Sequence, residues 1–238
     1  LHDELIHDSI LQGIKLAGSA RRGFKHDDAA DLEAQLAELR PHYEKVLIVV
    51  EGVYSMDGDT ADLEALLPVA EKHKVGVFID EAHSILAYGD KGRGLAHAHR
   101  DQIRLQYATF SKSFAHGGGF VAGERDLLRY MRYYTNGYGF SCSLPPVVVG
   151  GLLKALEVAT RDDSLRDKLW ANTKYFREQA VALGLNTGEG SSQVVPIIIG
   201  DDRRALFEMT RDMHAAGLFL APVDYPSVPM DELRYRVA

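Results

Sequence analysis

The chain has 238 residues, 46% of them hydrophobic and 26% charged, with a net charge of −7. This is a globular composition, long enough for one large core or for a large domain with part of a second. The acidic balance excludes broad binding to nucleic acid or an anionic membrane but leaves room for a local basic pocket, and no apolar run approaches the ~20 residues of a membrane-spanning helix.

In chain order, Leu1–His7 lacks the basic and apolar regions of a signal peptide and has no initiator methionine; both ends read as cuts. Val46–Val50 is β-branched and too short for a helix, so it predicts a buried strand, and Val75–Ile79 predicts a second. Between them Leu63, Leu66, Leu67 and Ala70 follow helical spacing, and Pro68 suggests that the helix proper starts near it. The resulting β-α-β unit predicts parallel strands. Strands are expected at 105–110 and 119–122, then helices at 125–134, 146–159 and 164–183. A strand at 194–199, a helix at 203–216 and a short strand at 219–221 follow, and the final residues, 233–238, read as part of another strand. The boundary is expected in the long helix, with a large domain over residues 1–175 and a partial α+β domain over 176–238. The one cysteine, Cys142, excludes an intrachain disulfide, and a reducing, cytoplasmic setting is expected.

Two strand ends carry chemistry. Asp80 closes the second predicted strand, where ligands gather in open parallel sheets, and a buried aspartate there needs a cationic or hydrogen-bonding partner. A protonated pyridine nitrogen would serve, with His83 three residues on to meet a phenolic oxygen. Read alone, Asp80 is equally an N-cap and His83 a satisfied surface histidine. Lys112, in Ala108-Thr109-Phe110-Ser111-Lys112-Ser113, comes just past the next strand, flanked by hydroxyl residues and followed by Gly117-Gly118-Gly119. That context suits a Schiff-base lysine beside a phosphate, whose amine desolvation would free for imine exchange. The bland alternative, a solvated lysine, loses ground once Asp80 stands one strand upstream.

The segments Asp3–Ile10, Phe24–Asp28, Glu51–Asp59, Asp80–Ser84, Gly92–Gly94, Thr109–Ser113, Phe140–Pro146 and Tyr225–Pro229 resemble, in order, those of the α-oxoamine synthases, fold-type I enzymes that use pyridoxal 5'-phosphate. The resemblance implies an α/β large domain with a mostly parallel sheet and helices on both faces, plus an incomplete C-terminal domain. It implies that Lys112 carries the cofactor and acts as acid and base, that Asp80 partners the pyridine nitrogen, and that His83 meets the phenolic oxygen. His7, otherwise an ordinary helix-start histidine, is similar to the histidine stacked on the ring. Ser55 resembles a residue near the phenolic oxygen and the substrate, while Thr109 and Ser111 resemble phosphate ligands. Ser141 is similar to a phosphate contact given by a partner subunit, which implies a homodimer with shared active sites. Arg236 resembles the arginine that grips the amino acid's carboxylate, a bidentate role.

The implied reaction joins an amino acid to an acyl thioester, on coenzyme A or a carrier protein, with loss of carbon dioxide. The wording Asp80–Ser84 with Thr109–Ser113 is most like the serine palmitoyltransferase branch, which implies serine, a long acyl chain and sphingolipid biosynthesis; an 8-amino-7-oxononanoate synthase using alanine or glycine is the alternative. Readings from other classes are an aminotransferase or lyase of the same fold type and a non-catalytic partner subunit, the latter opposed by the presence of Lys112. Two departures stand out: Ile6 replaces a polar residue before the stacking histidine, and Asp224 stands where serine palmitoyltransferase has an arginine. The basic-aromatic run Arg129–Tyr134 reads as an amphipathic interface helix rather than a nucleic-acid surface, and His97-Ala98-His99 reads as a loop with no metal set.

Overall fold

The computed structural model describes residues 1–238, which divide into two compact units. The first comprises Leu1–Val53 and Ala61–Leu165, the second Tyr54–Thr60 and Arg166–Ala238. The long helix therefore goes almost whole to the second unit, with the division ten residues before the expected 175/176 boundary. A seven-residue excursion also leaves the first unit to join the second.

In the first unit the strands are β1 (His2–Asp3), β2 (Gly23–Phe24), β3 (Leu47–Glu51), β4 (Gly76–Asp80), β5 (Leu105–Thr109) and β6 (Gly119–Gly123). They form one sheet in the order β2-β1-β3-β4-β5-β6, parallel throughout except for β6, which pairs antiparallel with β5. The interior strands are apolar because both faces are covered: Ile48, Val49, Val50, Val77, Ile79 and Ala108 are all buried. Helices α1 (Asp8–Leu16), α2 (Ala29–Leu39), α3 (Leu63–His73), α4 (Arg125–Tyr134), α5 (Asn136–Gly139) and α6 (Pro146–Arg161) complete the unit.

Three differences from the sequence reading have local causes. Helix α3 starts at Leu63, with Pro68 inside it. The N-cap Asp62 accepts from the Ala65 N–H, and Glu64, whose carbonyl Pro68 leaves without its usual donor, lies on the exposed side, where water serves. The first 45 residues contain β1, β2, α1 and α2, too short or too polar to show as periodic apolar runs. No residue of α4 or α6 is buried, although α6 is rich in valine and leucine; Tyr133 is 86% and Phe140 89% exposed, and Tyr130 stacks on Tyr134. In the second unit, the strand expected at 219–221 lies instead at β8 (Pro222–Val223), because the exposed Phe219 ring stacks on His214 rather than entering the sheet.

That unit holds α7 (Ser164–Ala182), shared at its first turn with the first, together with α8 (Arg203–Ala215) and the antiparallel sheet β7 (Val195–Gly200), β9 (Leu233–Val237) and β8, with β9 central. Leu206, Val228, Leu233 and Tyr235 form its core. Arg234 is 1% exposed and spends its donors on Asp57 Oδ1 (2.6 Å), the Met56 carbonyl (3.1 Å) and Glu232 (2.6 Å). This tethers the Tyr54–Thr60 excursion to β9. Arg234→Met is expected to cost about 1–3 kcal/mol, because the Met56 carbonyl loses its donor while the carboxylates of Asp57 and Glu232, 38% and 50% exposed, turn to solvent. Thermal unfolding would show it, and a melting point unchanged within a degree would refute the tether.

No helix is long and apolar enough to cross a membrane.

Candidate active site

The carboxyl ends of the parallel strands bring together a row of polar side chains: Asp3 ends β1, Glu51 ends β3, Asp80 ends β4 and Thr109 ends β5. Glu51, Asp80 and Thr109 each follow a buried apolar residue, Val50, Ile79 and Ala108, so the core anchors the strand that delivers each side chain to the sheet's edge. Glu51 and Asp80 are register partners on adjacent strands, and the Gly52 N–H donates to the Asp80 carbonyl at 2.7 Å. The chain order reverses around β1 and β3, the crevice position where open α/β sheets bind ligands. A concavity of about 1190 Å³ lies at the opposite, amino end of the strands, between Leu47, Gly76, Leu105 and Gly123. It is remote from this chemistry.

Asp80 is buried, and its Oδ1 accepts the Ala82 N–H at 2.8 Å. Burial pushes its carboxyl upward, against the Ala82 hydrogen bond and the positive charges of Lys112 and His7. It is therefore the wrong environment for an isolated carboxylate and a suitable one for a carboxylate facing a cation. Lys112 stands in the turn after β5. Phe110 and Phe114 bracket that turn, their rings meeting edge to face at 5.2 Å in a cluster with Ile85, Ala108 and Phe120. Lys112 itself is exposed, so the desolvation expected from sequence is not supplied by this chain's own residues; electrostatic coupling to Asp80 and Glu51 is.

Thr109 Oγ1 lies 2.8 Å from Ser111 Oγ, accepts the Ser111 N–H at 3.2 Å and donates to the Gly118 carbonyl at 3.3 Å. The glycine run is thus pinned against the hydroxyl pair. His83 is half-buried in the turn after β4. His7 caps α1, its ring Nδ1 accepting the Ser9 N–H, and its own N–H donates to Glu51 Oε1. Ser141 is exposed and donates to the Gly137 carbonyl at 2.5 Å, within its own turn and not with the residues above.

Ser55 and Arg236 belong to the second unit, where Arg236 Nη1 donates to the Ser55 carbonyl at 3.3 Å. Arg236 is only half-buried, which distinguishes it from the fully engaged Arg234 on the same face of β9. Asp224 is ion-paired with Arg203 at 2.6 Å. His97 and His99 meet Arg93 and Glu64, respectively, and no group of histidine, cysteine and acidic residues has a metal-site arrangement.

Sequence reasoning missed the structural carboxylates. Glu81, fully buried, accepts from the Leu95 and Ala96 N–H groups and from Ser84, fastening the Gly92–Ala96 loop behind Asp80. Gly94 is required there, since its φ is +95° and an added Cβ would lie 2.6 Å from the Glu81 carboxylate. Asp3 accepts from the Leu5 and Asp27 N–H groups, each at 2.8 Å, and meets His26 Nδ1 at 2.9 Å. Although burial raises it, the His26 contact and the two backbone donors outweigh burial and hold its carboxyl below the ordinary value. A depressed folded pKa means stabilisation present above the unfolded value of 3.8 and lost as pH falls through the folded one. Asp3→Asn is accordingly expected to cost about 1–3 kcal/mol at neutral pH, a gap that closes in acid; urea unfolding at several pH values measures it. The sequence signal common to Glu51 and Asp80 was available: an acidic residue directly ending a buried apolar run.

Over residues 1–238 the chain matches the model of the family described as aminotransferase class I and II, and it belongs to that family. Its cofactor is pyridoxal 5'-phosphate. Among curated relatives, the 8-amino-7-oxononanoate synthase of Thermoanaerobacter pseudethanolicus is 37% identical over 238 residues, 99% of this chain and 60% of the relative. The 4-hydroxy-2,2'-bipyrrole-5-methanol synthase PigH of a Serratia species is 35% identical, over 99% of this chain and 36% of its own length. Of solved structures, serine palmitoyltransferase from S. paucimobilis, with a bound PLP–myriocin aldimine, superposes with a TM-score of 0.94 at 31% identity, covering 100% of this chain and 60% of that one. The chain thus spans about 60% of the length of the first curated relatives it matches.

The residues present fit the cofactor. Asp80 is a buried carboxylate in need of a cationic donor, Thr109 and Ser111 present a hydroxyl pair beside the glycine run, and Lys112 lies between them and that run in a turn where Phe110 and Phe114 pack edge to face.

Proposed function

We propose that this chain carries the cofactor-binding part of an α-oxoamine synthase, an acyltransferase that condenses a small amino acid with an acyl thioester and releases carbon dioxide. The observation that carries this reading is the placement of buried Asp80 at the end of β4, paired with β5, whose following turn bears Lys112. When bound, pyridoxal phosphate supplies an electron sink for negative charge developing at the amino acid's α-carbon. The chain's residues do the rest. Asp80 holds a proton at the ring nitrogen, and Thr109 and Ser111 bind phosphate oxygens. His83 and Ser55 orient the ring through its phenolic oxygen, and His7 covers its face. Lys112 anchors the ring and moves the α-proton through Nζ. Arg236 binds the amino acid's carboxylate with the donors that its bond to the Ser55 carbonyl leaves over, a reading supported by the full engagement of Arg234 elsewhere.

Serine is the substrate that the wording around Asp80 and Lys112 favours, with a long-chain, sphingolipid-type product. A second reading, alanine or glycine as in 8-amino-7-oxononanoate synthases, draws on the names of the curated relatives and on Asp224, which is neutralised by Arg203 where serine palmitoyltransferase has an arginine. Serine, alanine and glycine supplied to the holoenzyme with acyl thioesters of graded length, on coenzyme A and on carrier protein, separate the two. Carbon dioxide release with serine and a long acyl chain supports the first; preference for alanine with pimeloyl thioester sinks it. Amino transfer without carbon dioxide would overturn the synthase reading itself.

A homodimer in the cytoplasm belongs to the same proposal. Its support is the set of exposed apolar side chains on α4, α5 and α6, among them Tyr133, Tyr134, Tyr138, Val147 and Leu153, next to the exposed Ser141. Ser141 would then bind the cofactor phosphate of the partner subunit.

A further inference from the structure

We propose that Glu51 is a positioning residue for the cofactor site, fixing His7 through the hydrogen bond that its carboxyl oxygen accepts from the His7 backbone. The inference rests on the proposed role of His7 against the ring.

Glu51 is 3% exposed, at the end of β3 and in register with Asp80. The segment from Asp3 to α1 crosses the strand ends, and His7 is tied there at two points. Its ring is held by Ser9 and its backbone by Glu51. The first tie fixes the side chain to its own helix; the second fixes His7 to the sheet that delivers Asp80. The charged and titratable groups facing Glu51 are Asp80 at the end of β4, Lys112 after β5, Asp3 at the end of β1 and His7 itself. Burial, reinforced by the like charge of Asp80, pushes the Glu51 carboxyl up to about 8, against the His7 N–H and Lys112. Near neutral pH it is thus largely the neutral acid, a hydrogen-bond acceptor that adds little charge beside Asp80. A raised folded pKa carries stability that is fully present below the unfolded value of 4.5 and lost as pH rises through about 8.

The test compares Glu51→Gln, Glu51→Leu and His7→Ala in the pyridoxal-phosphate holoenzyme, by visible circular dichroism of the bound cofactor, by cofactor dissociation and by a pH titration of the dichroic band. Glutamine keeps the acceptor oxygen and is expected to preserve band and affinity within about twofold, while leucine shifts the band as His7→Ala does and weakens binding about tenfold, the value of one backbone hydrogen bond to a buried acceptor. The wild type is expected to show a dichroic step near pH 8 that Glu51→Gln lacks. If His7→Ala alters the band and Glu51→Leu does not, Glu51 has no positioning role. Should the leucine variant not fold, Glu51→Ala replaces it, and a wild-type band there beside an altered band in His7→Ala overturns the inference. A His7→Ala enzyme with an unchanged band defeats instead the reading of His7.

Discussion

Replacing Lys112 with alanine is expected to abolish covalent attachment of the cofactor and to lower turnover by about three orders of magnitude or more, since acid–base catalysis alone is commonly worth 10²–10⁴-fold. Intact mass after borohydride reduction should show one cofactor adduct per chain in the unaltered holoenzyme and none in Lys112→Ala. Lys112 is exposed, and Phe110 and Phe114 pack against one another in the same turn, so the variant is expected to keep its fold, which far-ultraviolet circular dichroism would show. Lys112→Arg separates charge from chemistry: it retains a cation coupled to Asp80 and Glu51 but cannot form the attachment. An adduct that survives in Lys112→Ala would place the attachment at another lysine and remove the premise of the proposed function.

The second large effect belongs to Asp80, and it has opposite signs with and without cofactor. Asparagine cannot hold the ring nitrogen protonated, so Asp80→Asn should weaken cofactor binding about 10- to 150-fold, the loss of a charge-assisted hydrogen bond of about 1.5–3 kcal/mol. In the cofactor-free protein the same change should stabilise. Burial raises the Asp80 carboxyl, so its contribution to stability is present below the unfolded value of 3.8 and lost as pH rises through the folded one. At neutral pH the neutral asparagine avoids that loss, which is the expected signature of a residue placed for function at the expense of the fold. Cofactor titration paired with urea unfolding of both forms at pH 7 tests this. Unchanged cofactor affinity, or a destabilised cofactor-free variant, would count against Asp80 as the partner of the ring nitrogen.

Much of the fold was legible because buried parallel strands leave a direct trace in sequence: short apolar runs with polar residues at their carboxyl ends. Val46–Val50 and Val75–Ile79 lie within one residue of the observed β3 and β4, and the turn bearing Lys112 follows β5 as expected. The helical spacing from Leu63 was legible, and only the start of the helix was obscured by Pro68, whose cost falls when the orphaned carbonyl lies on the exposed side. The strands β1 and β2 were not legible at all. Two residues each, they exist because β1 has the larger β3 to pair with and β2 in turn pairs with β1.

The candidate site divides in the same way. Lys112, Asp80, Thr109 and Ser111 were identifiable from their own neighbours, since strand-end position and flanking hydroxyls are local facts. Glu51 and Asp3 matter through partners 44 and 23 residues away, His7 and His26, and Arg234 through Asp57 at a separation of 177. One-dimensional spacing does not distinguish such residues from surface charges. By itself, then, the sequence determined the strand pattern, the lysine turn and the family resemblance. The tertiary structure decided which carboxyls are buried, which of two arginines on β9 is already engaged, and what holds His7. The reason is physical: apolar periodicity is written residue by residue, whereas burial and electrostatic coupling depend on which distant segments the fold brings side by side.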